Sequence, residues 1–310
     1  MLANILRLLV LGALACALLV ATWLKNSHDF SWVIAILSGF WLVFLVVATF
    51  MAVQFLLSSL YGSASPATHQ LKGLAKLKPW WGELVACLHV FFWLQPFFGS
   101  KNLPSGKSQD KPALLLVHGY FCNRALWQDF AKTFAAEGHI IGSVNLEPVF
   151  GSIDDYAALI HSALQELRGR SRQGKIVLIG HSMGGLAIRA YLRDYGGAAV
   201  SKAITLGTPH QGTWLGQIGH GKNTKQMSLN TDLRPNAWLN HLRSLETLQQ
   251  DQMFEIMLSH DDNIVFPQAI QTLGQAPVHE FSGMGHVQMI YSDAVRAKVR
   301  EILARLAPSH

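Results

Sequence analysis

Lys175-Ile176-Val177-Leu178-Ile179-Gly180-His181-Ser182-Met183-Gly184-Gly185-Leu186-Ala187-Ile188-Arg189 decides how the rest of the chain is read. A short β-branched run meets G-x-S-x-G and passes straight into a helix-like segment. The bare motif recurs by chance; strand, tight turn and helix give it meaning. Glycine on either side lets strand and helix approach closely around a serine in strained backbone. Ser182 is therefore a candidate nucleophile, exposed above a sheet with a helix N-terminus behind it to favour developing negative charge.

Outward from this turn, apolar runs alternate with amphipathic stretches. Ala113–Val117 reads as a strand buried on both faces and ends in His118-Gly119-Tyr120. Trp127–Glu137 reads as a helix, His139–Asn145 as a strand and Asp154–Arg168 as a helix with acids in its first turn. After the serine turn come a helix over Leu186–Tyr195 and a strand over Lys202–Leu206. Strands over Met253–Leu258 and Pro277–Phe281 and a closing helix over Ser292–Leu306 complete the series. This alternation predicts an α/β fold with a mostly parallel sheet and helices on both faces. Residues 211–250 are irregular and read either as a cap over the pocket or as a surface excursion.

In such sheets ligands gather beyond the carboxyl ends of the strands. The backbone N–H groups of Tyr120 and Met183 are candidate oxyanion donors there. His118, Gly119, His181, Thr208 and Pro209 are candidates for the pocket wall. His210, directly after the strand neighbouring the serine, is also read as wall and not as base. Ser259-His260-Asp261-Asp262 follows a strand end, where Asp261 or Asp262 qualifies as the acid of a triad. His286, in a glycine-rich loop, is the candidate base, since imidazole titrates near neutrality. The order serine, acid, histidine fits one triad-bearing class and excludes the chymotrypsin-like and subtilisin-like orders.

The amino-terminal part differs in kind. Only 14% of the 310 residues are charged, and no Asp, Glu, Lys or Arg occurs in Leu8–Leu24 or in Phe30–Leu71. Leu2–Leu24, apolar apart from Asn4 and Arg7, and Phe30–Leu60 are each long enough to cross a bilayer, with Lys25–Asp29 as the break between them. A cleaved signal segment competes for the first run, and Ala13-Leu14-Ala15-Cys16 faintly resembles a lipoprotein box, but the second run would still span. Arg7 before the pair and Lys72, Lys76 and Lys78 after it place both ends in the cytoplasm of a bacterial-type inner membrane. Trp80–Phe98 is apolar again, but Glu83, His89, Gln95 and Pro96 interrupt it. It is expected to lie on the membrane or pack on the catalytic part rather than to span. Gly99–Pro112 is a linker, which sets residues 1–61, 62–111 and 112–310 as the expected units.

The net charge of +6 comes without any nucleic-acid-binding signature, so a membrane surface is the expected partner. Cys16, Cys87 and Cys122 form no framework, which fits a reducing compartment. No H-E-x-x-H, Cys-x-x-Cys or Walker motif suggests a metal or cofactor.

Val117–Tyr120, Gly180–Gly185, Leu206–Thr213, Asp262–Val265 and Gly283–His286 together resemble bacterial triacylglycerol lipases and related esterases of the α/β-hydrolase fold. The resemblance covers roughly Pro112–Leu306. It implies Asp262 over Asp261 as the acid, His286 as the base, and Tyr120 and Met183 as oxyanion donors. The expected activity is hydrolysis of carboxylic, lipid acyl, esters at a membrane. Acyl transfer or thioester cleavage uses the same machinery. A membrane interaction or transport protein with an inactive hydrolase domain is the reading from another class, disfavoured by the intact serine, acid and histidine.

Overall fold

The computed structural model describes residues 1–172 and 174–306; the last positions of the expected 112–310 unit lie outside the described residues. Two helices lead the chain, α1 (Leu2–His28) and α2 (Trp32–Tyr61), both long and apolar enough to cross a membrane. They pack against each other through small residues, Ala17 and Ala21 on α1 with Ala35, Gly39 and Ala48 on α2. Leu8, Leu19, Trp23, Leu37, Trp41 and Phe50 are exposed on the outside of the pair.

Residues 77–98 form α3 (Leu77–Cys87), a π-helical turn (Leu88–Leu94) and α4 (Gln95–Phe98). One face, with Leu84, Ala86, Val90 and Leu94, is buried on the rest of the chain; Trp81, Val85, Trp93 and Phe97 remain exposed. The segment packs on the catalytic part and wedges between it and the two long helices, touching α2 through α3 and α1 through α4.

A six-stranded, all-parallel sheet follows. Its strands are β1 (Ala113–Val117), β2 (Ile141–Val144), β3 (Ile176–His181), β4 (Val200–Leu206), β5 (Phe254–Ser259) and β6 (Val278–Phe281), in the spatial order β2-β1-β3-β4-β5-β6. The helices interleaved with these strands are α5 (Gln128–Ala136), α6 (Tyr156–Arg170), α7 (Met183–Tyr195), the short α8 (Lys222–Gln226), α9 (Ala237–Ser244) and α10 (Leu248–Asp251), and α11 (Asp293–Ala304). Side chains alternate between faces along each strand. Leu115, Leu178 and Ile176 meet Ile160 and Leu164 of α6 and Leu186 of α7, whereas Leu114, Val177 and Ile179 meet Phe130 of α5 and Val295 and Val299 of α11. Chain order reverses between β1 and β3, so the loops after these strands diverge and leave a crevice at their carboxyl ends.

Several sequence expectations shift: α6 begins at Tyr156, leaving Asp154 and Asp155 ahead of its first turn, and β4 begins at Val200 rather than Lys202. The second strand is Ile141–Val144, shorter than His139–Asn145, because His139 turns its Nδ1 to the carbonyl of Pro112 at 2.8 Å. The helix expected from Leu186 begins at Met183, directly after the serine. Residues 211–250 carry short helices, and that region is pinned to α7 by the buried pair Arg189–Glu246, with Nε to Oε1 at 2.6 Å.

The early start of α7 depends on Gly184, since a Cβ there would lie 2.3 Å from the carbonyl oxygen of Val117. Overpacking of this kind typically costs about 1–3 kcal/mol. Gly184→Ala is therefore expected to lower the unfolding free energy by about 2 kcal/mol, read as a lower denaturant midpoint; an unchanged midpoint would show that β1 and α7 are not in this tight register.

Candidate active site

Ser182 stands alone between β3 and α7 with φ 54° and ψ −129°. A non-glycine residue holds such backbone only where its surroundings over-determine it, at about 1–3 kcal/mol of strain. Here they do. The Ser182 N–H donates to the Leu206 carbonyl at 2.9 Å, while the Ser182 carbonyl accepts from Gly185 N–H at 3.0 Å and from Thr208 Oγ1 at 2.9 Å. The loop after β1 lies directly against the hydroxyl, for a Cβ on Gly119 would come 2.8 Å from Ser182 Cβ and 3.4 Å from its Oγ. Tyr120 follows in that loop, its hydroxyl donating to the carbonyl of His220 at 2.9 Å. Met183 opens α7, where first-turn N–H groups have no intrahelical acceptor. The loop holding Tyr120 and the first turn of α7 thus both adjoin the serine.

The loops after β5 and β6 meet beside it. His286 Nδ1 lies 2.9 Å from Asp262 Oδ2, and both side chains are buried. The other oxygen, Oδ1, accepts from the N–H groups of Ile264 and Val265, each at 2.8 Å. The neighbouring Asp261 instead accepts from Gly283 N–H at 2.6 Å, bracing the histidine loop without touching the ring. The backbone of Gly207, next to the Leu206 that holds Ser182, packs on the pair: a Cβ there would lie 3.1 Å from both Asp262 Oδ2 and His286 Nδ1. Serine, acid and histidine are thus gathered around Leu206–Gly207 at the end of β4. Burial disfavours the cation of His286, but the Asp262 charge and hydrogen bond, with the Glu83 charge behind them, outweigh it and hold the imidazole pKa above its ordinary value.

The other candidate histidines are spent on bracing. His118 donates from Nδ1 to the Gly119 carbonyl at 2.9 Å and accepts Leu146 N–H on Nε2 at 3.0 Å. Burial fits this neutral tautomer and lowers its pKa to about 4. His181 Nε2 donates to the His286 carbonyl at 3.2 Å, with the two rings 4.5 Å apart. His210 pairs with Thr205 Oγ1 at 3.0 Å, on the far side of the loop. Pro209 accepts Gly212 N–H at 3.0 Å in the same turn. A cavity lined by Arg189, His210, Gln211, Leu239 and Arg243 opens beside α9 and contains none of Ser182, Asp262 and His286.

Several residues of this centre escaped the sequence reading. Ser58 Oγ, on α2, donates to the Asp262 carbonyl at 2.9 Å, and Gln268 Nε2 donates to that same carbonyl at 2.9 Å and to Ser58 Oγ at 2.8 Å. Asn263 joins the two halves, accepting His286 N–H on Oδ1 at 3.0 Å and donating from Nδ2 to Gln54 Oε1 at 2.9 Å. Glu83 accepts the N–H groups of Val287 and Gln288. A signal existed for three of them: Gln54 and Ser58 are polar residues four apart, on one face of an otherwise apolar helix, and Glu83 is the one acid in Trp80–Phe98. Among the described residues, His69, His260 and Glu280 alone have metal-ligand spacing, their donor atoms within 4.8 Å of one another. There His260 Nε2 already pairs with Glu280 Oε2 at 2.8 Å.

The fold is similar to that of Bacillus licheniformis lipase BlEst2 in its mature form, at 17% identity and a TM-score of 0.53 over 66% of this chain and 96% of that one. Aspergillus fumigatus lipase B is similar at 17% identity and a TM-score of 0.53, over 66% of this chain and 55% of the fungal one. No curated protein matches in sequence. These likenesses establish the α/β-hydrolase fold. The profile of the PGAP1-like alpha/beta domain family matches residues 150–306, from the approach to the Ser182 turn through the closing helix. Since that is half of the chain, the protein belongs to the PGAP1-like alpha/beta domain family.

Proposed function

We propose that the protein is a membrane-anchored serine hydrolase that cleaves carboxylic esters of lipids, with Ser182 as nucleophile, His286 as base and Asp262 as the acid that orients it. The observation that carries this reading is the buried Asp262–His286 pair packed on Gly207, beside the strained turn of Ser182. Neutral serine attacks a carbonyl only if its proton leaves at the same time. With Nδ1 held by Asp262, His286 presents Nε2 for that proton, and Asp262 stabilises the imidazolium that forms. The N–H groups of Tyr120 and Met183 receive the oxyanion. Collapse of the tetrahedral intermediate expels the alcohol, which takes the proton from His286. Water, deprotonated by the same ring, then attacks the acyl-enzyme and releases the acid and free Ser182.

The lipid part of the proposal rests on where the two long helices end. The first turns of α1 bury Leu2 and Leu6 against Val149, Phe121 and Phe150, beside Tyr120, and the last turns of α2 are hydrogen bonded to the Asp262 loop. An ester held at the membrane surface would therefore sit next to the serine. The exposed Trp81, Trp93 and Phe97 suit the same interface. Both structural neighbours carry the name lipase, which favours an acyl ester as substrate. Positive charge at Arg7, Lys72, Lys76 and Lys78 orients the pair with the catalytic part in the cytoplasm.

Ser182→Ala is expected to abolish fluorophosphonate labelling and to reduce hydrolysis of p-nitrophenyl esters by at least about a thousandfold. A wild type that neither labels nor hydrolyses any acyl ester would refute the proposal. The pH profile has a required sign. His286 acts as base only when neutral, and its pKa is raised, so kcat/KM should fall with decreasing pH through a midpoint above the ordinary imidazole value of about 6.5. A midpoint below that value would contradict the paired geometry.

A further inference from the structure

Behind the proposed base lies a carboxylate that belongs neither to the sheet nor to its loops. Glu83 of α3 is fully buried, with no exposed surface at all. Its Oε1 accepts Val287 N–H at 2.9 Å and its Oε2 accepts Gln288 N–H at 2.8 Å. These are the two residues that follow His286. The fit is tight, since a Cβ on Gly285 would come 2.7 Å from Glu83 Cβ and from Oε2. Gln288 closes the arrangement by accepting Gly285 N–H on Oε1 at 3.1 Å.

We propose that Glu83 is a positioning residue for His286: from α3 its carboxylate grips two consecutive backbone N–H groups and fixes the loop that carries the base, while its charge faces the ring. This rests on the reading of His286 as general base. A simple brace does not call for a carboxylate. Burying one is costly, and a neutral amide acceptor would satisfy a buried N–H at less expense. A second negative charge behind the imidazole has a use that a neutral acceptor lacks. It stabilises the imidazolium formed as Ser182 gives up its proton, in addition to Asp262 on Nδ1.

The charged and titratable groups around Glu83 agree with this role. His286 and Asp262 face it from the loops after β6 and β5, and Cys87, on its own helix, places Sγ 3.7 Å from Oε1. Burial raises the Glu83 pKa to about 7, against the two backbone hydrogen bonds and the His286 charge, which favour the anion. The grip is thus expected to loosen as Glu83 is protonated in the neutral range. Because α3 also packs on α2, the base is held by a segment that touches the proposed anchor.

The test compares kcat and KM for p-nitrophenyl butyrate across pH in the full-length wild type, Glu83→Gln and Glu83→Asp, in detergent micelles. Glu83→Gln is expected to lose about tenfold to a hundredfold in kcat, as for small misplacements of a catalytic group, with KM within about twofold. Its acid limb should move to lower pH, because His286 loses a negative neighbour. Glu83→Asp, which keeps the charge, should return the limb toward the wild-type position. A wild-type limb and kcat in Glu83→Gln would overturn the proposal, whatever happens to its melting temperature. Should Glu83→Gln fail to fold, the wild-type profile decides. Because neutral Glu83 lowers activity and protonated His286 abolishes it, part of the acid limb is steeper than a one-proton slope, and a one-proton slope throughout overturns the proposal. An inactive wild type would instead refute the hydrolase reading itself.

Discussion

The contact between Asp262 and His286 is the interaction on which the rest of this centre depends. A carboxylate with no exposed surface is tolerable only if every oxygen has a partner and its charge is answered. Oδ1 has the N–H groups of Ile264 and Val265, and Oδ2 has His286 with Gln271 at the edge of hydrogen-bond range, 3.4 Å. Meeting that requirement brings together the loops after β4, β5 and β6. Gly207 supplies a surface without a side chain, and Leu206 beside it holds Ser182 in its strained backbone. Serine and pair are thus set by one stretch of main chain rather than by separate supports.

The two amino-terminal helices enter the same network. A helix that served only as a tether would need no specific bond to the centre. Yet Ser58 donates to the carbonyl of Asp262, and Gln54 receives the amide of Asn263, whose other end holds the backbone N–H of His286. These polar residues cluster in the last turns of α2, where it leaves its apolar run. α2 and the centre are continuous through buried hydrogen bonds, which are costly to leave unmade. Movement of α2 relative to the sheet would break the bonds to the Asp262 carbonyl and to Asn263, which holds the backbone N–H of His286.

How much of this was legible in the sequence follows from how local each feature is. β1 and β3 announce themselves as unbroken apolar runs because both their faces are covered, and the Ser182 turn does so through its glycines. Asp261 and Asp262 were inseparable by spacing, since both follow β5. Only the direction in which each carboxylate turns, one to a ring and one to Gly283 N–H, separates them. His118 and His181 flank the key loops, and burial lowers the pKa of both, which suits the hydrogen bonds that each makes there. Glu83 is visible in the sequence, but its partners are not. It is 204 residues from Val287, and a lone acid in an apolar run reads as an interruption until the fold supplies its partners. The interruption was the signal.

The central claim is that Ser182 carries the acyl group between attack and hydrolysis, and it is tested most directly by trapping that intermediate. Full-length protein mixed with p-nitrophenyl butyrate, quenched in acid within the first turnover and digested, should yield one butyrylated peptide, with the acyl group on Ser182. Acylation at another residue, or burst release of p-nitrophenol with Ser182 unmodified, would contradict the account.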